Sequence, residues 1–194
     1  MKRIESAAKT RRALLHAATD LLNMGGPQAV TLRAVGSRAG VSRNAPYRHF
    51  ADKDALLAAI AVQSWSDIGD TLDSIGQTTS SSATTRLVEA LMVFVGVART
   101  SPYLYRLMFV IPEGDPSEGA RAAGRAREAL FAIVAEVVGD AAAPLAGALL
   151  FSSAHGIAGL EMTGHMTEKM SGSPEKLLLS LVGMAAAHRW EDLG

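Results

Sequence analysis

Apolar residues recur along the chain at the three-to-four-residue spacing of a helix face, and the alternation expected of strands is scarce. A first helix is predicted over about 6–24, with Leu14, Ala18, Leu21 and Leu22 on one face and Arg11, Arg12 and Asp20 mostly off it. Gly25-Gly26-Pro27 ends it, since glycine takes the left-handed cap and proline cannot continue the helix. Thr31 is a good N-cap for a short second helix, about 32–39, that turns Leu32, Val35 and Ala39 inward. Gly40 makes the next turn, and Ser42 can cap a third short helix reaching about Phe50. Asp52 caps a long fourth helix through Leu56, Leu57, Ile60, Trp65, Ile68 and Leu72.

Residues 74–85 are polar and uncharged and read as a flexible connection. Helices follow at about 84–99 (Leu87, Leu91, Phe94 and Val95 inward) and from Pro102 to about Phe109. Pro112-Glu113-Gly114-Asp115-Pro116 reads as a loop. Further helices are expected at about 117–138, 142–165 and 174–190, the last two separated by Ser171-Gly172-Ser173-Pro174. The expected fold class is therefore all-α, with about nine helices: three short N-terminal ones, then a larger helical part. The boundary is placed between residues 1–51 and 52–194.

Composition narrows the chemistry. Hydrophobic residues make up 48% of the 194 positions and charged ones 20%, enough to bury a sizeable core and to exclude wholesale disorder. With no cysteine, disulfides, thiol nucleophiles, thiolate zinc sites and iron–sulfur clusters are excluded. The N-terminal MKRIESAAKTRR lacks an apolar signal core, and a cytoplasmic location is expected. Residues 141–160 carry no charge over a length that could span a bilayer. Pro144, Ser152, Ser153, His155 and three glycines dilute the stretch, so it is read as a buried soluble helix, and no membrane partner is expected.

The formal net charge of zero conceals an asymmetry. Residues 1–50 hold nine Lys/Arg against Glu5 and Asp20, a surplus of +7, and the remainder is −7. Such a division points to nucleic acid or another anionic surface. The basic segment contains TLRAVGSRAGVSRNAPYRHFADK (31–53), two short capped helices meeting at a glycine turn with small residues, Ala34 and Ala39, between them. This is a helix-turn-helix pattern, whose second helix fits the DNA major groove. Arg43 and Asn44 suit guanine and adenine edges. Thr31, Ser42, Tyr47, His49 and Lys53 can donate to phosphate oxygens, and Arg33 adds charge to the same candidate surface. A plain helical hairpin with solvated polar residues would show the same pattern, and the local charge favours DNA.

The stretch Thr10 to Ile60 resembles the DNA-binding head of the tetracycline-repressor (TetR) family of bacterial regulators. The matching residues are Ala17-Ala18, Leu21-Leu22, Gly25-Gly26 and Thr31, followed by Ala39-Gly40-Val41-Ser42, Tyr47-Arg48-His49-Phe50, Asp52-Lys53-Asp54 and Leu56-Leu57. The resemblance implies phosphate contacts at Thr31, Tyr47 and Lys53, groove contacts beginning at Ser42, Arg43 and Asn44, and core positions at Val41 and Phe50. Pro46 departs from an uninterrupted third helix. With Ser42 as cap it removes the first intrahelical hydrogen bond; with Asn44 as cap it is harmless, and Arg43 and Asn44 then lie at or before the helix start.

Beyond the head, 101–109 and 151–160 are similar to a TetR subgroup with a His-Gly motif, here His155-Gly156. That implies a ligand-receiving, dimerising body. Small residues along 142–165 and the apolar face of 174–190 suit a four-helix interface between two copies, although both helices could instead bury within one subunit. Candidate ligand-binding residues are Trp65, Phe94, Tyr103, Met108, Phe109, Phe131, Phe151, His155 and Met162, adaptable side chains that also suit an ordinary core. Glu161 and His165 stand i,i+4, but two ligands do not make a metal site, and neither metal nor cofactor is expected.

No GxSxG elbow, P-loop, HExxH or dinucleotide fingerprint occurs, so no enzyme is expected. The function expected is a homodimeric transcriptional regulator, read as a repressor that an apolar or amphipathic small molecule releases from a palindromic operator on double-stranded DNA. The alternative is a helical small-molecule-binding protein or enzyme whose head does not bind DNA.

Overall fold

The structure is a computed structural model that describes residues 2–110, 117–166 and 172–190. Among these residues there are nine helices and no strand. They are α1 (Lys2–Ala29), α2 (Leu32–Arg38), α3 (Ala45–His49), α4 (Lys53–Gly76), α5 (Ala83–Thr100), α6 (Pro102–Met108), α7 (Ser117–Val138), α8 (Ala143–Met162) and α9 (Pro174–Ala187). The loop expected at 112–116 lies outside the described residues, as does Ser171.

The chain forms two compact units, Met1–Ser64 with Ser101–Ala120, and Trp65–Thr100 with Arg121–Gly194. In the first unit, α1 packs on α2, α3 and α6. Its core holds Leu14, Ala18, Leu22, Val30, Leu32, Val35, Phe50, Leu56 and Ile60. Leu21 is only half-buried. Helix α1 breaks where expected: Gly25 and Gly26 leave helical geometry, Gly26 at φ 69°, and one more turn follows from Pro27. The break lets Tyr103 of α6 approach. A Cβ on Gly26 would lie 3.0 Å from the Tyr103 ring.

In the second unit, α5 packs along α8 and α9. Phe94 meets Phe151 edge-on at 5.0 Å and Trp65 at 6.3 Å. Gly147 admits Phe131, whose ring carbon would sit 2.7 Å from a Cβ there. Arg86, the buried charged side chain of this core, pairs with Glu136 and donates to the Ser81 carbonyl at 2.7 Å. Arg99 ties three helices together, donating to Glu161 at 2.8 Å and to Glu175 at 3.4 Å.

Several expected limits differ. The connection at 74–85 shrinks to 77–82, because α4 runs on to Gly76, where an added Cβ would lie 3.5 Å from Ile133. Helix α8 stops at Met162 rather than 165, where Thr163 and Gly164 (φ 71°) turn the chain. Helix α9 stops at Ala187, and Trp190 folds back to donate to the Ala185 carbonyl at 3.0 Å. By length and composition α8 could cross a membrane. It is buried on one face only: Ala146, Gly147, Leu150, Ala154, Ile157 and Ala158 are covered, whereas Leu145, Leu149 and Leu160 are exposed. Its small residues are thus divided, some inside the unit and others, such as Ser152 and Gly156, open.

Candidate nucleic-acid interface

The interface is built by α2, the turn after it, and α3. Thr31 starts α2, its hydroxyl oxygen accepting the Ala34 N–H at 3.1 Å. That bond satisfies one of the four N–H groups that a helix start leaves unpaired. Gly40 takes φ 65°, a conformation that a side chain would strain, and Val41 N–H then donates to the Gly36 carbonyl at 3.1 Å.

Of the two possible starts for α3, the chain uses the later. Ser42 does not cap the helix; α3 begins at Ala45, with Asn44 in the N-cap position and making no capping hydrogen bond. Pro46 therefore sits in the first turn, where a missing N–H costs nothing. It is also buried against α2. A Cβ on Gly36 would lie 2.8 Å from Pro46 Cγ, so glycine leaves the space the proline ring fills. Arg43 and Asn44 consequently stand in the turn before the helix rather than on it.

Burial of Ala45 and Pro46 turns the opposite face of α3 outward. Thr31, Arg33, Ser42, Arg43, Asn44, Tyr47 and Arg48 are exposed, Tyr47 at 57%. His49 and Lys53 are half-buried, and the His49 ring lies 6.4 Å from Phe50. The resemblance put Val41 and Phe50 in the core; Phe50 is buried, but Val41 is half-exposed. Among the described residues, Arg33, Arg43, Arg48 and Lys53 have no carboxylate partner. Arg38 differs: its Nε and Nη2 both hold Asp20 of α1, at 3.1 and 3.0 Å, which neutralises one of the two acids of the basic segment. Arg11 lies 5.5 Å over the Phe50 ring, a cation–π contact that ties α1 to the end of α3. Sequence reasoning omitted Arg48. Asn44, the N-cap, keeps helical φ and ψ, so the i,i+4 spacing puts Arg48 beside it on the outward face.

Residues 14–60 match the bacterial regulatory proteins of the tetR family, and 87–185 match the tetracyclin repressor-like C-terminal domain. The chain belongs to the TetR family. It is a DNA-binding transcriptional regulator by that membership. Solved structures agree on the fold. A protein of unknown function from Rhodococcus sp. RHA1 is 25% identical, with TM-score 0.77 over 92% of this chain and 94% of that one. A TetR-family transcriptional regulator from Streptomyces coelicolor is 21% identical, with TM-score 0.66 over 91% and 97%. The fatty acid degradation regulator FadR from Bacillus halodurans is 12% identical, with TM-score 0.65 over 92% and 98%. No protein of curated function matches the sequence.

The residues expected to receive a ligand in this TetR chain fall into both units. Trp65, Phe94, Phe131, Phe151, His155 and Met162 belong to the second, where Trp65, Phe94 and Phe151 form one aromatic row. His155 is exposed and Met162 half-buried. Tyr103, Met108 and Phe109 belong to the first unit. There Tyr103 covers Gly26, the Met108 sulfur accepts from the Ser64 hydroxyl at 3.2 Å, and Phe109 lies 5.0 Å from Tyr105. Tyr105, which sequence reasoning passed over, is 1% exposed, and its burial raises the phenol above its ordinary range. Glu161 is engaged by Arg99, and His165 approaches the Thr163 hydroxyl at 2.9 Å beyond the helix end.

Proposed function

We propose that this TetR-family chain is a homodimeric, cytoplasmic repressor without catalytic activity, released from a palindromic operator by a small apolar or amphipathic effector. Residues 1–51 serve as the DNA-binding domain, joined at the phosphates by Lys53 at the start of α4, and the rest of 52–194 binds the effector and dimerises. The observation that carries the reading is the exposed, carboxylate-free set Thr31, Arg33, Arg43, Asn44 and Tyr47 around a glycine turn. Thr31, Tyr47 and Lys53 hold phosphates, assisted by Ser42 and His49, and Arg43 and Asn44 read base edges.

A dimer is supported by the open faces of α8 and α9. Leu145, Leu149, Leu160, Leu179 and Met184 are exposed, with Leu149 at 54% and Met184 at 62%. Leu149 and Met184 border an apolar groove of about 290 Å³, lined also by Ala146, Leu150 and Leu181. Exposed apolar side chains bordering such a groove fit an association site. The reading assigns it to a second copy rather than to a bilayer. Two heads then meet half-sites about one DNA turn apart, and effector binding releases the operator by favouring a head spacing that misses them. Moving the population that far requires a preference of several kcal/mol for the released state.

Selection of duplexes from a random pool tests the reading. It predicts two inverted half-sites with centres about 34 Å apart. Arg43→Ala should cost about 1–3 kcal/mol and relax one position per half-site. Recovery of no consensus, or a consensus unchanged in the Arg43 variant, overturns it.

A further inference from the structure

We propose that the opening turns of α1 are part of the DNA interface: a cleft between α1 and α3 seats the sugar–phosphate backbone of the operator, with Arg48 as its anchor. The inference rests on the head binding DNA and adds a surface to that site.

The cleft has a volume of about 570 Å³. Ser6 and Thr10 wall it from α1, Ser42 from the turn, and Arg48 and His49 from α3, with Val41 and Ala45 among its apolar lining. Its chemistry is one-sided. The lining includes three hydroxyls, an imidazole and a guanidinium, and no carboxylate. The Thr10 hydroxyl already donates to the Ser6 carbonyl at 2.9 Å. The Ser6 and Ser42 hydroxyls take no part in side-chain hydrogen bonds among the described residues, and Arg48 has no ion pair there. A donor-rich, acid-free cleft selects an acceptor-only anion. Its size suits a run of backbone rather than a single small ion.

The position agrees with groove geometry. On α3, Tyr47 and Arg48 are about 100° apart and flank the outward face that Asn44 centres. An element inside the major groove has a phosphate strand on either side. Tyr47 lies toward one flank; Arg48, backed by Ser6 and Thr10, lies toward the other. Helix α1 thereby gains a role beyond covering the core of the head.

The test measures affinity against salt concentration for a duplex selected by the wild-type protein and for a scrambled duplex. Arg48→Ala should bind both about five- to tenfold more weakly, with a salt slope shallower by about one. Thr10→Lys should bind both more tightly, with a slope steeper by about one, a gain that misfolding cannot imitate. Ala8→Lys is the control: Ala8 is exposed and about 160° from both Ser6 and Thr10 around α1. Equal gains from Thr10→Lys and Ala8→Lys would reduce the effect to net charge and overturn the proposal. So would an Arg48→Ala loss confined to the selected duplex, which would make Arg48 a base reader. Binding of inorganic phosphate in the cleft, with duplex affinity indifferent to Arg48, would assign it to a small anion and also overturn it. If wild type binds no duplex at all, the DNA-binding reading fails and takes this one with it. Wild-type binding with inert cleft variants sinks this inference alone.

Discussion

Gly36→Ala isolates the contact that positions α3. In an open helix this change stabilises by up to about 1 kcal/mol, since glycine is the poorer helix former. Here the new Cβ would stand 2.8 Å from Pro46 Cγ. An ordinary carbon contact needs about 3.5 Å, so α3 must retreat by about 0.7 Å. The proline ring is closed onto its own backbone and cannot swing aside like a long side chain. Overpacking of this kind costs about 1–3 kcal/mol, which outweighs the propensity gain. The net expectation is a destabilisation of up to about 2 kcal/mol in urea unfolding. Because a displacement beyond about 0.5 Å misplaces recognition groups, affinity for the selected duplex should fall more than affinity for a scrambled one. Pro46→Ala on the Gly36→Ala background removes the ring atoms, so the double-mutant cycle should show a coupling of about 0.5–3 kcal/mol. A Gly36→Ala protein that is more stable than wild type and binds its operator normally would refute this account of the α2–α3 contact.

Two further outcomes are expected. Replacing Leu149 and Met184 together with glutamate should give monomers by sedimentation and abolish operator binding while helicity is kept; a variant that stays dimeric would move the interface elsewhere. Glu175 is held below its ordinary range, first by its own backbone N–H, then by the Ser173 hydroxyl, with Arg99 adding to both. A carboxyl depressed in the folded state contributes stability above its unfolded pKa and loses it as pH falls through the folded value. Stability should therefore decline below the ordinary glutamate range, and Glu175→Gln should flatten that acid limb. An acid limb identical in the two proteins would mean the Glu175 contacts do not form in solution.

The parts of the fold written in local chemistry were legible. Thr31 and Asp52 act as caps, Asp52 accepting the Ala55 N–H at 2.8 Å, and Gly25-Gly26 break α1. These depend on neighbours within a few residues. What depended on distant partners was not legible. Nothing near Ser74-Ile75-Gly76 announces that α4 runs on through this polar stretch, with Ile133 beside Gly76. The choice of Asn44 over Ser42 is tied to the space Gly36 leaves for Pro46, and those residues lie on different helices. The cleft beside Arg48 needed α1 in place before its lining could be seen. The aromatic residues of the body could be named from sequence. Their assignment to two units could not, because one apolar side chain does not specify which helix covers it.

Salt-dependent binding of duplex DNA tests the central claim most directly. Tyr47→Ala and Lys53→Ala should each lower affinity for every duplex by a similar factor, and removing the Lys53 charge should make the slope of log K against log salt shallower by about one. Wild-type affinity that ignores salt, or variants that match wild type on both slope and affinity, would contradict the claim that this head clamps DNA through its phosphates.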